Sequence, residues 1–162
     1  MPSARDDQAL ELLRASSGLS IDEEGRFLHR GEPITHRRTL EVLWSSLARG
    51  PAGRWMVRIG RESAYVSVAE TPWAVGVSVP GPEAREGAPP ELSLPDGSRE
   101  PLDPATLSLG ADGVLRCRVK GGERARLTRA GQIALGLALE EDPPGSGLFY
   151  LTVGVRRWLI GP

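Results

Sequence analysis

The chain has very few of the residues from which metal sites and disulfides are built. Its 162 residues include one cysteine, Cys117, and two histidines, His29 and His36. A single cysteine cannot form an internal disulfide, so nothing in the sequence requires an oxidising compartment. Zinc sites usually show a close pair such as His-x-x-x-His or Cys-x-x-Cys, and neither is present. The sequence therefore predicts no metal site and no cofactor.

Long apolar runs and an excess of one charge are also missing. No stretch is apolar enough to cross a bilayer, and the first residues, MPSARDDQALELL, lack the apolar core of a signal peptide. The 20 Lys and Arg balance 21 Asp and Glu, which leaves a net charge of -1. Such a chain has no overall field that would attract nucleic acid or an anionic membrane. We therefore expect a cytoplasmic protein with no membrane partner. The balanced net charge also disfavours a nucleic-acid partner.

Signatures of the common enzyme classes are missing as well. There is no Gly-x-Ser-x-Gly elbow, and Gly121-Gly122 lacks the lysine and hydroxyl of a phosphate-binding P-loop. Cys117 lies between Leu115 and Val119 on the apolar face of a predicted strand, which indicates a buried, inert thiol. These absences favour a protein without catalytic activity.

Alternating apolar residues dominate the stretch Arg54 to Val79, RWMVRIGRESAYVSVAETPWAVGVSV. This period of two predicts three strands that share one sheet and bury one face. The alternation from Leu19 to Pro33, around Glu24-Gly25, predicts a hairpin. A helix is predicted after an N-cap at Thr35, from an apolar stripe at i, i+3, i+4 and i+7: Leu40, Leu43, Trp44 and Leu47.

These patterns predict an α+β fold. Residues 19–80 are expected to form a two-layer domain in which the helix covers an antiparallel sheet. Residues 1–18 are a predicted helical extension, with a short helix from Asp6 to Ser17. Residues 81–90 are a predicted linker, because prolines, glycines and mixed charges replace the apolar pattern there.

Residues 91–162 are predicted to form a mainly β domain with one buried helix. Turns are expected at Asp96-Gly97, Asp112-Gly113 and Gly121-Gly122, which tolerate positive φ. The helix would follow Thr128 in RAGQIALGLALEE and is apolar on nearly every side, so we expect it to be largely buried. Two glycines weaken this helix, which indicates close packing against a sheet: Gly131 and Gly136. The closing segment LFYLTVGVRRWLIG predicts two strands that meet near Gly154.

Several short motifs, taken in order, carry a family resemblance. The first half contains Gly25-x-Phe27-x-His29-x-Gly31-x-Pro33-Ile34, Leu43-Trp44-Ser45-Ser46-Leu47-x-Arg49, Trp55-x-Val57, Glu62, Val66-x-Val68 and Pro72-Trp73. The second half contains Leu92-x-Leu94, Leu102-Asp103-Pro104, Arg124-x-Arg126-Leu127 and VGVRRWLIG. From about Leu19 onward the chain resembles a bacterial family of uncharacterised proteins, domain of unknown function 1285 (DUF1285). The resemblance implies a two-domain protein, an α+β half followed by a mainly β half, with no established activity. Arg58-Ile59 stand where the family pattern would have Thr-Pro.

The favoured function is a non-catalytic ligand-binding, protein-binding or regulatory module. Its partner would be an unknown small molecule or protein, bound in a cleft between the two halves. The candidate contact residues are His29, Arg58, Glu62 and Gly76. Gly76 is included because it has no side chain, so a ligand could approach that face of the strand closely. The sequence gives no indication of the oligomeric state.

Two alternatives stay open. An enzyme would use His29 as a general base oriented by Glu62. An anion or nucleic-acid site would use basic residues that alternate along two neighbouring strands between Arg116 and Arg129, although no aromatic residue is interleaved to stack bases. Its candidates are Arg116, Arg118, Lys120, Arg124 and Arg126.

Overall fold

A computed structural model describes residues 15–162. The predicted helix from Asp6 to Ser17 lies outside the described residues except for its last three. Contacts divide the chain into two compact units, of which the first ends at Pro72 and the second begins at Trp73. We call them unit N and unit C. The described residues contain mainly strands and two α-helices, so the α+β class is confirmed.

Unit N contains seven strands and one helix in the described residues. They are β1 (Leu19–Ile21), β2 (Phe27–His29), β3 (Glu32–Pro33), α1 (Arg37–Ser46), β4 (Leu47–Arg49), β5 (Trp55–Ile59), β6 (Glu62–Tyr65) and β7 (Ser67–Val68). The strands form two sheets, in the orders β3-β2-β1-β7 and β4-β5-β6. The predicted β1–β2 hairpin is confirmed. The prediction of a single antiparallel sheet is wrong, because the strands form two sheets and β7 runs parallel to β1. The core between these elements is made by Ile21, Phe27, Leu43, Val57 and Val66.

The helix α1 begins and ends differently from the prediction. Its N-cap is His36, whose Nδ1 accepts a hydrogen bond from the Thr39 amide at 3.3 Å. The helix ends at Ser46, because Leu47 enters β4 and pairs with Val57 in β5. Leu47 still packs against the core, so the apolar stripe is preserved although its last residue is no longer helical. Sheet pairing therefore ends the helix before the Gly-Pro stop signal.

Unit C contains nine strands and one helix. They are β8 (Trp73–Ser78), β9 (Glu91–Ser93), β10 (Arg99–Pro101), β11 (Ser108–Leu109), β12 (Leu115–Val119), β13 (Glu123–Leu127), α2 (Arg129–Gly136), β14 (Leu139–Glu141), β15 (Phe149–Val153) and β16 (Arg156–Ile160). One sheet has the order β10-β9-β8-β13-β12-β11 and the other the order β14-β15-β16. The predicted closing hairpin is confirmed as β15–β16, with Gly154 at a φ of 60° in its turn.

The strand β8 corrects the prediction that residues 54–79 share one sheet. It pairs with β13 in parallel, Trp73 opposite Ala125, and with β9 in antiparallel, Val77 opposite Leu92. Trp73, Ala74 and Val75 are all buried, which is typical of a central strand covered on both faces. The alternation correctly predicts a strand but does not identify its partners. The boundary between the units accordingly precedes β8, whereas the predicted linker was placed at residues 81–90.

The helix α2 corrects the prediction of a buried helix. Gly131 and Leu135 are its buried residues, while Ile133 is 60% exposed and Leu137, which caps the C-terminus, is 86% exposed. A helix on one face of a sheet buries one stripe, so a sequence that is apolar on every side leaves apolar residues in solvent. The predicted close packing is present at Gly131, where an added Cβ would lie 2.8 Å from the Val75 carbonyl oxygen. A Cβ added at Gly136 would have no neighbouring atom within 4 Å, so the prediction of close packing is wrong at Gly136.

Candidate functional site

A groove of about 360 Å³ in unit C is built by three segments that are distant in sequence. The loop between β8 and β9 contributes Pro89, and the β15–β16 hairpin contributes Arg156 and Trp158. The end of β10 and the turn that follows it contribute Pro101, Asp103 and Pro104. We call it the C-groove. Its walls contain three prolines and the indole of Trp158. They also contain one acidic side chain, Asp103, and one basic side chain, Arg156.

Backbone contacts hold the two loops of the C-groove in place. The Leu102 amide donates a hydrogen bond to the Pro90 carbonyl at 2.8 Å, and the Leu102 side chain is buried. Asp103 accepts a hydrogen bond from the Ala105 amide at 3.0 Å and so caps the short 3-10 turn that begins at Pro104. A Cβ added at Gly154 would lie 3.1 Å from the Gly87 Cα, so the loop backbone rests directly on the hairpin turn.

Arg156 and Trp158 are two residues apart on β16 and therefore point to the same side of the sheet, as does the buried Ile160. Arg157 points to the other side, where it binds Asp142 at 2.8 Å and lies 4.0 Å from the Tyr150 ring centre. Within residues 15–162, no hydrogen bond or ion pair engages the Arg156 guanidinium. The C-groove thus presents a cation beside an indole.

The predicted ligand residues fall in both units. His29 ends β2 and is exposed, and Arg58 on β5 lies opposite Ser63 on β6. Glu62 borders a smaller hollow of about 250 Å³ whose walls include Leu19 and Ile59. Across the described part of the chain, no hydrogen bond or ion pair joins the side chains of His29 and Glu62. Their roles as ligand or catalytic residues stay predictions.

Gly76 lies on β8 in unit C. It pairs with Ser93 on β9, and a Cβ added at Gly76 would lie 3.4 Å from the Ser93 hydroxyl. The small strand face at this point is therefore in contact with a neighbouring strand. The assignment of Gly76 to a ligand site also stays a prediction.

The predicted neighbouring basic strands are β12 and β13, which pair in antiparallel. Arg116 lies opposite Arg126, and Arg118 lies opposite Arg124. Much of this charge is already paired, since Arg116 donates to both carboxylate oxygens of Asp112, at 2.9 and 2.7 Å. Anion binding by these strands stays a prediction.

Lys120, the one lysine of the chain, joins two hairpins. Its Nζ donates to Asp96 at 2.6 Å and to Ser98 at 3.0 Å, and it lies 5.3 Å from the centre of the Trp73 ring. Its backbone amide donates to Glu100 at 3.1 Å. Sequence reasoning missed this role because Asp96 is 24 positions away and no local pattern links the two residues.

Cys117 is buried, and burial together with the nearby Glu100 raises the pKa of its thiol to about 12. The predicted burial of the thiol is confirmed, and a raised pKa favours the unreactive protonated form. Among residues 15–162 there is no cluster of three or more His, Cys, Asp or Glu side chains that could hold a metal ion. No helix in that range is long and apolar enough to cross a membrane.

Acid should destabilise unit C through Asp96 and Asp112. Burial raises the pKa of Asp96, but hydrogen bonds from Lys120 and Ser98 outweigh it and hold the pKa below its ordinary value. The hydrogen bonds from Arg116 hold the pKa of Asp112 lower still. Because both folded pKa values are depressed, this stabilisation is complete above about pH 5 and is lost as the pH falls through the folded pKa values.

Thermal unfolding between pH 7 and pH 2 tests the contribution of Asp96. We expect Asp96→Asn to lower Tm by about 5 °C at pH 7 and to reduce the further loss below about pH 5. Glu83→Gln, in an exposed part of the loop between β8 and β9, is the control and should follow the parent chain. An Asp96→Asn profile parallel to that of the parent chain would contradict this assignment.

Two crystal structures of bacterial proteins have a similar fold. The DUF1285 family protein from Shewanella baltica OS155 has a TM-score of 0.55 and 15% identity, over 75% of this chain and 92% of that chain. The DUF1285 family protein from Silicibacter pomeroyi DSS-3 has a TM-score of 0.59 and 18% identity, over 88% of this chain and 79% of that chain. No family model and no curated protein matches the sequence. The resemblance is confirmed in three dimensions: this chain has the fold of the DUF1285 family proteins.

Proposed function

We propose that the chain is a non-catalytic binding module whose C-groove binds small organic carboxylates with a flat apolar body. The observation that carries this proposal is the Arg156 guanidinium, which has no hydrogen-bond or ion-pair partner within residues 15–162 and points to the same side of β16 as Trp158. The groove volume of about 360 Å³ falls within the range of small-molecule sites, roughly 300–1,000 Å³.

The chemistry of the walls supports this ligand class. Guanidinium groups bind carboxylates through two parallel hydrogen bonds, and these charge-assisted bonds are about twice as strong as neutral ones. Trp158 and the prolines Pro101 and Pro104 offer apolar surfaces for the body of the ligand. Asp103 places a negative charge in the same groove, which disfavours a second carboxylate on the ligand.

The composition of the groove also supports binding without catalysis. Among the described residues that line it there is no serine, threonine, cysteine, histidine, tyrosine or lysine. A nucleophile with an adjacent base is therefore missing from this site. The single cysteine, Cys117, forms no internal disulfide and so is compatible with the cytoplasmic location that the sequence favours.

Fluorescence titration with phenylacetate and with its neutral amide, phenylacetamide, tests the proposal. We expect phenylacetate to change the tryptophan emission and to bind at least tenfold more tightly than the amide, because only the carboxylate pairs with Arg156. We expect Arg156→Gln to weaken phenylacetate binding about tenfold or more, the scale of one lost hydrogen bond to a charged group.

Arg157→Gln is the matched control, since Arg157 is the next residue of the same strand and points to the opposite side. It should leave phenylacetate binding unchanged. The proposal fails if phenylacetate and phenylacetamide bind equally, or if Arg156→Gln and Arg157→Gln have the same effect on binding.

A further inference from the structure

The outer side of α2 carries an apolar stripe. Successive residues turn by about 100°, so Ala130, Ile133, Ala134 and Leu137 lie within one third of the circumference. Ile133 and Leu137 are 60% and 86% exposed, whereas Gly131 and Leu135 on the inner side are buried. We call the four outer residues the α2 stripe.

Exposed residues of opposite charge lie next to the two ends of α2 in the sequence. Arg129 is the first residue of the helix, where the positive end of the helix dipole disfavours a cation. Glu140 on β14 follows Leu137 by three residues. Both side chains are exposed, and within residues 15–162 neither forms a hydrogen bond or an ion pair.

We propose that the α2 stripe binds a second copy of this chain, with the two α2 helices packed antiparallel about a two-fold axis. Antiparallel packing brings the start of each helix beside the end of the other, so Arg129 meets the partner's Glu140 twice in the dimer. The surface is thus complementary to itself in charge, as an isologous interface requires. Ala130 and Ala134 have small side chains and allow the two helices to approach to about 8 Å.

The size of the stripe sets the expected strength of the dimer. A helix of eight residues is about 12 Å long, so its face buries less area than the roughly 1,200–2,000 Å² of a standard stable interface. We therefore expect a reversible dimer that dissociates on dilution through the micromolar range. The interface is separate from the C-groove proposal, and its test uses no ligand.

Sedimentation equilibrium over a range of protein concentrations tests the apolar part of the interface. The parent chain should change from monomer to dimer as its concentration rises, and Leu137→Glu should remain monomeric. Leu159→Glu is the matched control, since Leu159 is an exposed leucine on β16 and is 53% exposed. It should dimerise as the parent chain does. Circular dichroism should show both variants folded, because neither leucine is buried.

Charge reversal tests the antiparallel arrangement of the two α2 helices. Arg129→Glu and Glu140→Arg should each raise the dimer Kd about tenfold, because each creates two like-charge contacts across the axis. The double variant should restore the parent Kd. A parent chain that is monomeric at every concentration, a dimer that Leu137→Glu leaves intact, or a double variant no tighter than the single variants would overturn the proposal.

Discussion

Phe27→Ala should lower the free energy of unfolding of unit N by about 3–5 kcal/mol, the usual cost of removing a buried aromatic side chain. Phe27 is 1% exposed and lies in the core of unit N. Its ring meets Trp44 edge to face, with the ring centres 4.7 Å apart and the planes at 69°. The substitution removes both the buried area and this contact, and the contact alone is worth about 0.5–1.5 kcal/mol.

Urea unfolding followed by tryptophan fluorescence measures this loss of unfolding free energy. Trp44 contributes to the signal because its ring packs against Phe27 in the folded protein. Phe27→Leu keeps most of the volume and should cost less than about 1.5 kcal/mol. Ile59→Ala removes an apolar side chain that is 50% exposed and should change stability by no more than about 0.5 kcal/mol. A Phe27→Ala variant as stable as Ile59→Ala would show that Phe27 does not anchor the core.

Alternation predicts strands well but does not predict their partners. The hairpins β1–β2, β12–β13 and β15–β16 were all predicted, because each consists of two neighbouring runs joined by a turn that contains glycine. The strand β8 was assigned to the wrong sheet, since its main partner β13 begins 45 residues after β8 ends. A period of two indicates which side chains share a face and carries no information on which distant strand is adjacent.

The same limit applies to the C-groove. Arg156 and Trp158 alternate on one strand, so their shared face could have been predicted from the final RRW motif. Their proximity to Pro89 and Pro101 could not, because more than 50 residues separate these segments. Lys120 shows the same limit, since its position in a basic run gives no indication that its acidic partner Asp96 lies in another hairpin.

The helix α2 shows why an apolar pattern alone does not determine burial. Its sequence is apolar on nearly every side, and either of two stripes could have faced the sheet. Gly131 decides between them, because the Val75 carbonyl approaches where any larger residue would stand. The two glycines, which look equivalent in the sequence, therefore have different roles, and the same substitution at each should have opposite effects.

We expect Gly131→Ala to destabilise unit C by about 1–3 kcal/mol, the usual cost of overpacking a core. The added Cβ would lie 2.8 Å from the Val75 carbonyl oxygen and 3.3 Å from the Val77 amide nitrogen. These are backbone atoms of a central strand, and the Val75 oxygen already accepts a hydrogen bond from the Thr128 amide at 2.9 Å. The helix cannot move away without losing that bond, so the strain outweighs the gain in helix propensity of about 1 kcal/mol.

Gly136→Ala is the matched control in the same helix, and there we expect a gain of up to about 1 kcal/mol. No atom lies within 4 Å of its added Cβ, so the preference of alanine for the helix acts alone. Urea unfolding of the two variants should give changes of opposite sign. Equal changes would mean that α2 does not pack on β8 through Gly131, because an unpacked helix would gain from alanine at both positions.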